Sequence, residues 1–132
     1  MIVVPLYAGL LALWFVLLSV RVIGWRQRSW TSLGDGGDAS ALRVIRGHAN
    51  FAEYVPLALV LLGFLELSHY SSLLLHALGL TLLIGRLLHG YSLSFTPVFV
   101  PGRVIGMMLT CAVLLIAGLL CVYQGVLGFR LQ

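Results

Sequence analysis

From Met1 to Val20 the chain carries no charged side chain, and nearly every residue is apolar. About twenty such residues let a helix cross the hydrocarbon of a bilayer, where backbone polar groups must be satisfied inside the segment. The competing reading is a cleaved leader. No basic residue precedes the run, and no small-residue cleavage site ends it; Arg21, Arg26 and Arg28 follow it instead. A retained span over residues 4–25 is therefore expected. The rest of the chain agrees, since 61% of it is hydrophobic and only 9% charged, with a mean hydropathy of +1.07. Soluble domains carry about 25% charged residues. With so few charges this chain cannot cover a globule with polar surface, and an integral membrane protein is expected.

Residues 27–38, QRSWTSLGDGGD, form the most polar stretch and read as a loop outside the hydrocarbon. Asp38 or Ser40 can cap the helix that follows, with GDGG as the breaker before it. That helix is expected over 39–67, longer than the membrane requires, so its first turns project into the headgroup zone. Glu66, Ser68, His69 and Tyr70 read as a short turn. A third span is expected over 72–92, ending near Arg86 and His89. The two prolines of LSFTPVFVPG (93–102) disfavour continuous helix. Pro101 suits the start of a fourth span over 102–123, because a first-turn proline loses no helical hydrogen bond. The fold class is thus an all-α membrane protein, a bundle of four transmembrane helices in a single domain spanning 1–132.

The net charge of +4 comes from eight basic residues, all arginine, against four acids. Arg21, Arg26, Arg28, Arg43, Arg46, Arg86 and Arg103 flank two connections on one side, and only Arg130 lies on the other. The positive-inside rule then puts the arginine-rich connections in the cytoplasm and both termini opposite. These arginines sit at the ends of apolar runs with no basic tail or aromatic-interleaved patch, so no nucleic acid partner is expected. Cys111 and Cys121 are roughly 15 Å apart along one helix, too far for a disulfide within it, and read as packing thiols. No cysteine or histidine spacing matches a metal site. Small residues on the last two spans (Ala77, Gly79, Gly85; Gly106, Ala112, Gly118) permit close helix contact, but their irregular spacing indicates no particular interface.

The polar residues of RVIRGHANFAEYVP (43–56) are costly at a membrane edge. On a helix turning about 100° per residue, Arg43, Arg46, Asn50, Glu53 and Tyr54 share an arc of roughly 100°. His48 points away, toward another helix or subunit. One reading is a salt-bridged stripe, with Glu53 paired to Arg46 or to Arg86, because unpaired charges near hydrocarbon are expensive. The other is a ligand site. Arg26, Arg43, Arg46, Arg86 and Arg103 gather at one level with Glu53 as the only nearby helix acid, and that surplus wants an anion. Lipid phosphate accounts for rim arginines. A ligand with carboxylates and an ammonium accounts also for Glu53 and Asn50. Arg103 stands in the first turn of the fourth helix, where a cation meets the dipole unfavourably but cooperates with free backbone donors around an anion.

These residues resemble the MAPEG family, the membrane-associated proteins in eicosanoid and glutathione metabolism. Arg43, Arg46, Asn50, Glu53, Tyr54 and Pro56 are similar to the family's second-helix motif. GRLLHGYSLSF resembles its third-helix pair through Arg86 and His89, and PGRVIGMMLT resembles the start of its last helix through Arg103. The resemblance runs from Arg21 to Tyr123. It implies a homotrimer in lipid, with glutathione as co-substrate between neighbouring subunits near the cytosolic face. Arg46, Asn50, Glu53, Tyr54 and Arg86 would hold it, with help from His89, from Arg26 on the first helix and from His48 across the interface. Arg103 would be the catalytic residue that keeps the thiol ionised.

The implied activity is a membrane-bound glutathione transferase acting on hydrophobic electrophiles, with hydroperoxide reduction as a further one and no metal. The family also includes a non-catalytic member, so a lipid- or ligand-binding scaffold is the alternative. Two departures argue against naming a prostaglandin or leukotriene product. Leu93 stands where several members have tyrosine, and the acid invoked in the prostaglandin-forming branch has no counterpart beyond the loop residues Asp35 and Asp38. The chain resembles a compact bacterial member of the inner membrane.

Overall fold

The computed structural model describes residues 2–96 and 99–130, without the side chains of 128–130. Four helices follow one another: α1 (Val3–Ser29), α2 (Ala39–Leu67), α3 (Ser72–Ser94) and α4 (Val100–Arg130). Each is long and apolar enough to cross a membrane. α2 and α3 touch each other and both outer helices, whereas α1 and α4 make no contact among the described residues. The bundle is therefore a rhombus with α2 and α3 on its short diagonal. Leu11 and Leu18 of α1, Val55 and Leu62 of α2, Leu82 of α3 and Val113 of α4 form its core. The outward faces of α1 and α4 stay apolar and exposed, as lipid or a neighbouring subunit requires.

The caps explain where the helices begin. Asp38 is the N-cap of α2, its carboxylate accepting from the Ser40 amide at 2.7 Å. Hydrogen bonding to Ser40 holds that carboxyl below its ordinary range. Ser40 itself lies inside the helix. Ser71 caps α3 by accepting from the Leu74 amide. In the loop before α2, Gly34, Gly36 and Gly37 all take positive φ, a conformation glycine adopts without Cβ strain.

Several boundaries differ from expectation. α1 continues to Ser29, so Gln27–Ser29 are helical; the Ser29 hydroxyl donates back to the Trp25 carbonyl. Arg26 and Arg28 fall in the last turn, where cations suit the helix dipole. α3 runs two residues past Ser92, and α4 extends well beyond Tyr123, continuing through Gly125 and Gly128 to Arg130. Pro101 is the second residue of α4, as a first-turn proline should be; Pro97 lies outside the described residues. Pro56 sits inside α2, where it removes one helical donor.

Glu66 belongs to the last turn of α2 rather than to a turn between helices, and it caps α1 from there. Its carboxylate accepts from the backbone amides of Ile2 at 2.5 Å, Val3 at 2.6 Å and Val4 at 3.1 Å. These are donors that a helix start cannot satisfy internally.

The glycines do define a helix contact. α3 and α4 cross at Gly85 and Gly106, where a Cβ on Gly106 would lie 2.5 Å from the Gly85 carbonyl oxygen and 2.8 Å from the His89 nitrogen. Gly79 instead admits the Tyr7 ring of α1, and Gly118 faces open space.

Candidate ligand cleft at the arginine-rich end

The C-terminal halves of α1 and α3 and the starts of α2 and α4 meet at one end of the bundle, which gathers seven of the eight arginines. There α2, α3 and α4 enclose a cleft of about 340 Å³ lined by Leu42, Arg43, Arg46, Asn50, His89, Leu93 and Arg103. Helical spacing puts these side chains together. Arg43, Arg46 and Asn50 share one face of α2, His89 and Leu93 lie one turn apart on α3, and Arg103 enters from the first turn of α4. The volume falls within the roughly 300–1,000 Å³ of small-ligand sites.

The lining holds three guanidinium groups and no carboxylate. Glu53 lies one helical step below, 3.6 Å from Arg46, and both side chains are about half exposed. Among the described residues this is the one ion pair. An exposed pair of that kind is worth little, so both groups stay available to a ligand. Arg43 and Arg103 meet no acid there at all.

Arg86 is arranged differently. Its side chain is 1% exposed and lies beneath the cleft. Nη1 donates to Asn50 Oδ1 at 3.0 Å, and Nη2 donates to the Gly106 carbonyl at 3.3 Å. The Tyr54 ring lies 5.8 Å from its Cζ, within reach of a cation–π contact. No carboxylate touches it; Glu53 pairs with Arg46, not with Arg86. Asn50 lines the cleft with its carbonyl engaged by Arg86, so its amide nitrogen is the group that remains free to donate among the described residues.

Arg26 and His48 lie elsewhere. His48 stacks on Phe15 with ring centroids 4.6 Å apart, and its Nε2 is 3.1 Å from the Ser19 hydroxyl. Arg26 lines an open groove with Gln27, Trp30, Thr31 and Ser32. Both stand on the α1 side of α2, away from the cleft of their own chain. Of the sequence-derived residues, the cleft thus gathers Arg46, Asn50, His89 and Arg103, with Glu53 at its edge and Tyr54 and Arg86 beneath. It adds Leu42, Arg43 and Leu93. Arg43 begins the α2 stripe and was visible from spacing, whereas Leu42 carries no polar signal.

Such an arrangement has the chemistry to accept a multiply anionic ligand, with Arg103 set beside the first-turn amides of α4, which lack helical acceptors. Residues 4–123 match the profile of the MAPEG family. The chain belongs to that family. An 86-residue stretch is 40% identical to the inner membrane protein YecN of Escherichia coli (strain K12), covering 65% of this chain and 66% of that protein. The protein of the same name from Escherichia coli O6:H1 (strain CFT073) is similar to the same degree. The match thus spans just under two thirds of these relatives' length. With four membrane-spanning helices and these relatives, the MAPEG chain is an integral protein of the bacterial inner membrane.

Proposed function

We propose that this MAPEG protein is a glutathione transferase acting on hydrophobic electrophiles, assembled as a homotrimer with its arginine-rich end toward the cytoplasm. The observation that carries the reading is the cleft in which Arg43, Arg46 and Arg103 converge around Asn50 with no lining acid. Glutathione has two carboxylates, one ammonium and two amides. The donor set fits it: arginines for the carboxylates, Glu53 for the ammonium, the Asn50 amide for a peptide carbonyl. Tyr54 and Arg86 support Asn50 from below.

Bound glutathione supplies a thiolate nucleophile. Arg103 and the amides at the start of α4 hold negative charge there, and each unit by which they lower the thiol pKa corresponds to about 1.4 kcal/mol. A free thiol near pKa 8.5 is only a few per cent ionised at neutral pH. His89 completes the wall, and the apolar flank at Leu42 and Leu93 offers a side for an electrophile arriving from lipid. Arg26 and His48 serve a neighbouring subunit's cleft on this reading, since they face away from their own. Hydroperoxide reduction uses the same thiolate.

The second reading, a non-catalytic lipid- or ligand-binding scaffold, is favoured by Leu93. It lines the cleft where several members carry tyrosine, so one polar group is missing from the wall. Glutathione titrated into the purified trimer, followed by calorimetry, the ultraviolet thiolate band and conjugation of a chloronitrobenzene, separates the two. The transferase binds glutathione, ionises it and turns over, and Arg103→Ala keeps binding while losing the thiolate band. Absence of glutathione binding refutes the transferase.

A further inference from the structure

A second basic cleft lies on the other side of Arg43, between α1, α2 and α3. It encloses about 400 Å³ and is lined by Arg21, Arg28 and Arg43 together with Trp25, Ser94 and Phe95. Arg21 is held in place: Nη2 donates to the Ser94 carbonyl at 2.6 Å, and its Cζ sits 4.5 Å over the Phe95 ring. Among the described residues the remaining guanidinium donors of Arg21 are unused. Arg28 and Arg43 have no hydrogen-bonding or acidic partner among the described residues. Ser94 lines the cleft through the carbonyl that holds Arg21, while its own hydroxyl is buried toward Gly47 of α2. Asp35 and Asp38, the acids of the α1–α2 loop, accept from the Gly37 and Ser40 amides and pair with none of these arginines among the described residues.

The cleft continues into an apolar track. Val20 lines it, and Val16, Leu17 and Leu13 follow below on the same face of α1, all exposed. Charge at the membrane rim, with an aliphatic stripe running from it into the hydrocarbon, is the outline of one phospholipid.

We propose that this α1–α2–α3 cleft binds the phosphate of an anionic phospholipid, one per subunit, with its chains along the Leu13–Val20 face of α1. The site shares only Arg43 and Leu93 with the glutathione cleft and does not depend on that assignment. Each arginine near a lipid phosphate is worth about a fivefold change in affinity.

Native mass spectrometry of the detergent-purified protein, titrated with phosphatidylglycerol, phosphatidylcholine or inorganic phosphate, tests this. One phosphatidylglycerol per subunit should survive activation that strips phosphatidylcholine, and inorganic phosphate should not displace it. Arg28→Gln, which breaks no hydrogen bond within the chain, should weaken retention about fivefold, and Arg21→Gln with Arg28→Gln about 30-fold. Glutathione affinity should be unchanged in Arg28→Gln, so failure here and failure of the transferase reading are separable. Equal retention of the two lipids, or no loss in Arg28→Gln, overturns the proposal. So does displacement by inorganic phosphate, which would assign the cleft to a soluble phosphate anion.

Discussion

Arg86 Nη1 donates to Asn50 Oδ1 at 3.0 Å across the α2–α3 contact, from a guanidinium that is 1% exposed and meets no carboxylate. A buried cation is tolerated here because Asn50, the Gly106 carbonyl and the Tyr54 ring surround it. The same bond decides which end of the Asn50 amide reaches the cleft. On the transferase reading Arg86 is therefore a positioning residue, and the direct contacts to glutathione belong to the arginines that line the cleft.

Removing that guanidinium leaves the Asn50 carbonyl without its partner and a void in the middle of the bundle, while the Gly106 carbonyl still accepts from the Thr110 hydroxyl. An unsatisfied buried polar group costs about 1–3 kcal/mol, and truncating a large buried side chain to alanine adds a cavity cost on the order of 2 kcal/mol or more. Arg86→Ala should lower the thermal midpoint in detergent sharply. Asn50→Ala, which strands the charge itself, should be comparably damaging to the fold, so glutathione binding must be read on the surviving folded fraction.

The α3–α4 crossing predicts a contrast between two glycines. A methyl group at Gly106 meets the α3 backbone at Gly85 and His89, and Gly106→Ala should destabilise by about 1–3 kcal/mol. Gly118 has nothing within 4 Å, so Gly118→Ala should be neutral or stabilising by up to about 1 kcal/mol through helix propensity. Unfolding in mixed micelles reads both.

Glu66 offers a third test. Its carboxylate serves three amides of α1, and a lost cap costs about 0.5–2 kcal/mol. Glu66→Ala should destabilise within that range, with faster amide exchange confined to residues 2–4, and Glu66→Gln should recover part of it.

Glu53 separates stability from binding. Its pair with Arg46 is half exposed, so Glu53→Gln should change stability by less than about 1 kcal/mol. On the transferase reading the same variant loses the ammonium contact, and calorimetry should show weaker glutathione binding at unchanged thermal midpoint.

The Asp38 cap gives a pH dependence of known sign. Its carboxyl is held low by Ser40, so it adds stability that is fully present above the unfolded carboxylate value and lost as pH falls through the folded one. Thermal midpoints should drop on acidification below about pH 4. Asp38→Asn, whose side chain caps without ionising, should flatten that part of the profile.

How much of this is legible in sequence depends on the distance over which each residue acts. The Asp38 cap, the Pro101 start and the α2 stripe are local, set by spacings of a few residues, and spacing reveals them. Glu66 looks like a turn residue because its partners at Ile2–Val4 lie more than sixty positions away. Gly85 and Gly106 form a crossing only once α3 and α4 are docked, and no regular interval joins them. The helical wheel turns His48 away from the stripe, yet nothing in it points to Phe15 and Ser19. Arg86 shares the charge and motif of a ligand residue; its burial follows from the close approach at Gly106, a tertiary fact.

The Glu66 cap also carries a consequence for biogenesis. α1 precedes α2 in the chain, but its opening amides find their acceptor only on the last turn of α2. Until the second hydrophobic segment has crossed the bilayer, those amides depend on water or lipid headgroups at the surface. Membrane insertion of the first two segments is thereby coupled, and a stall between them should leave the first segment shallow and frayed at its leading edge.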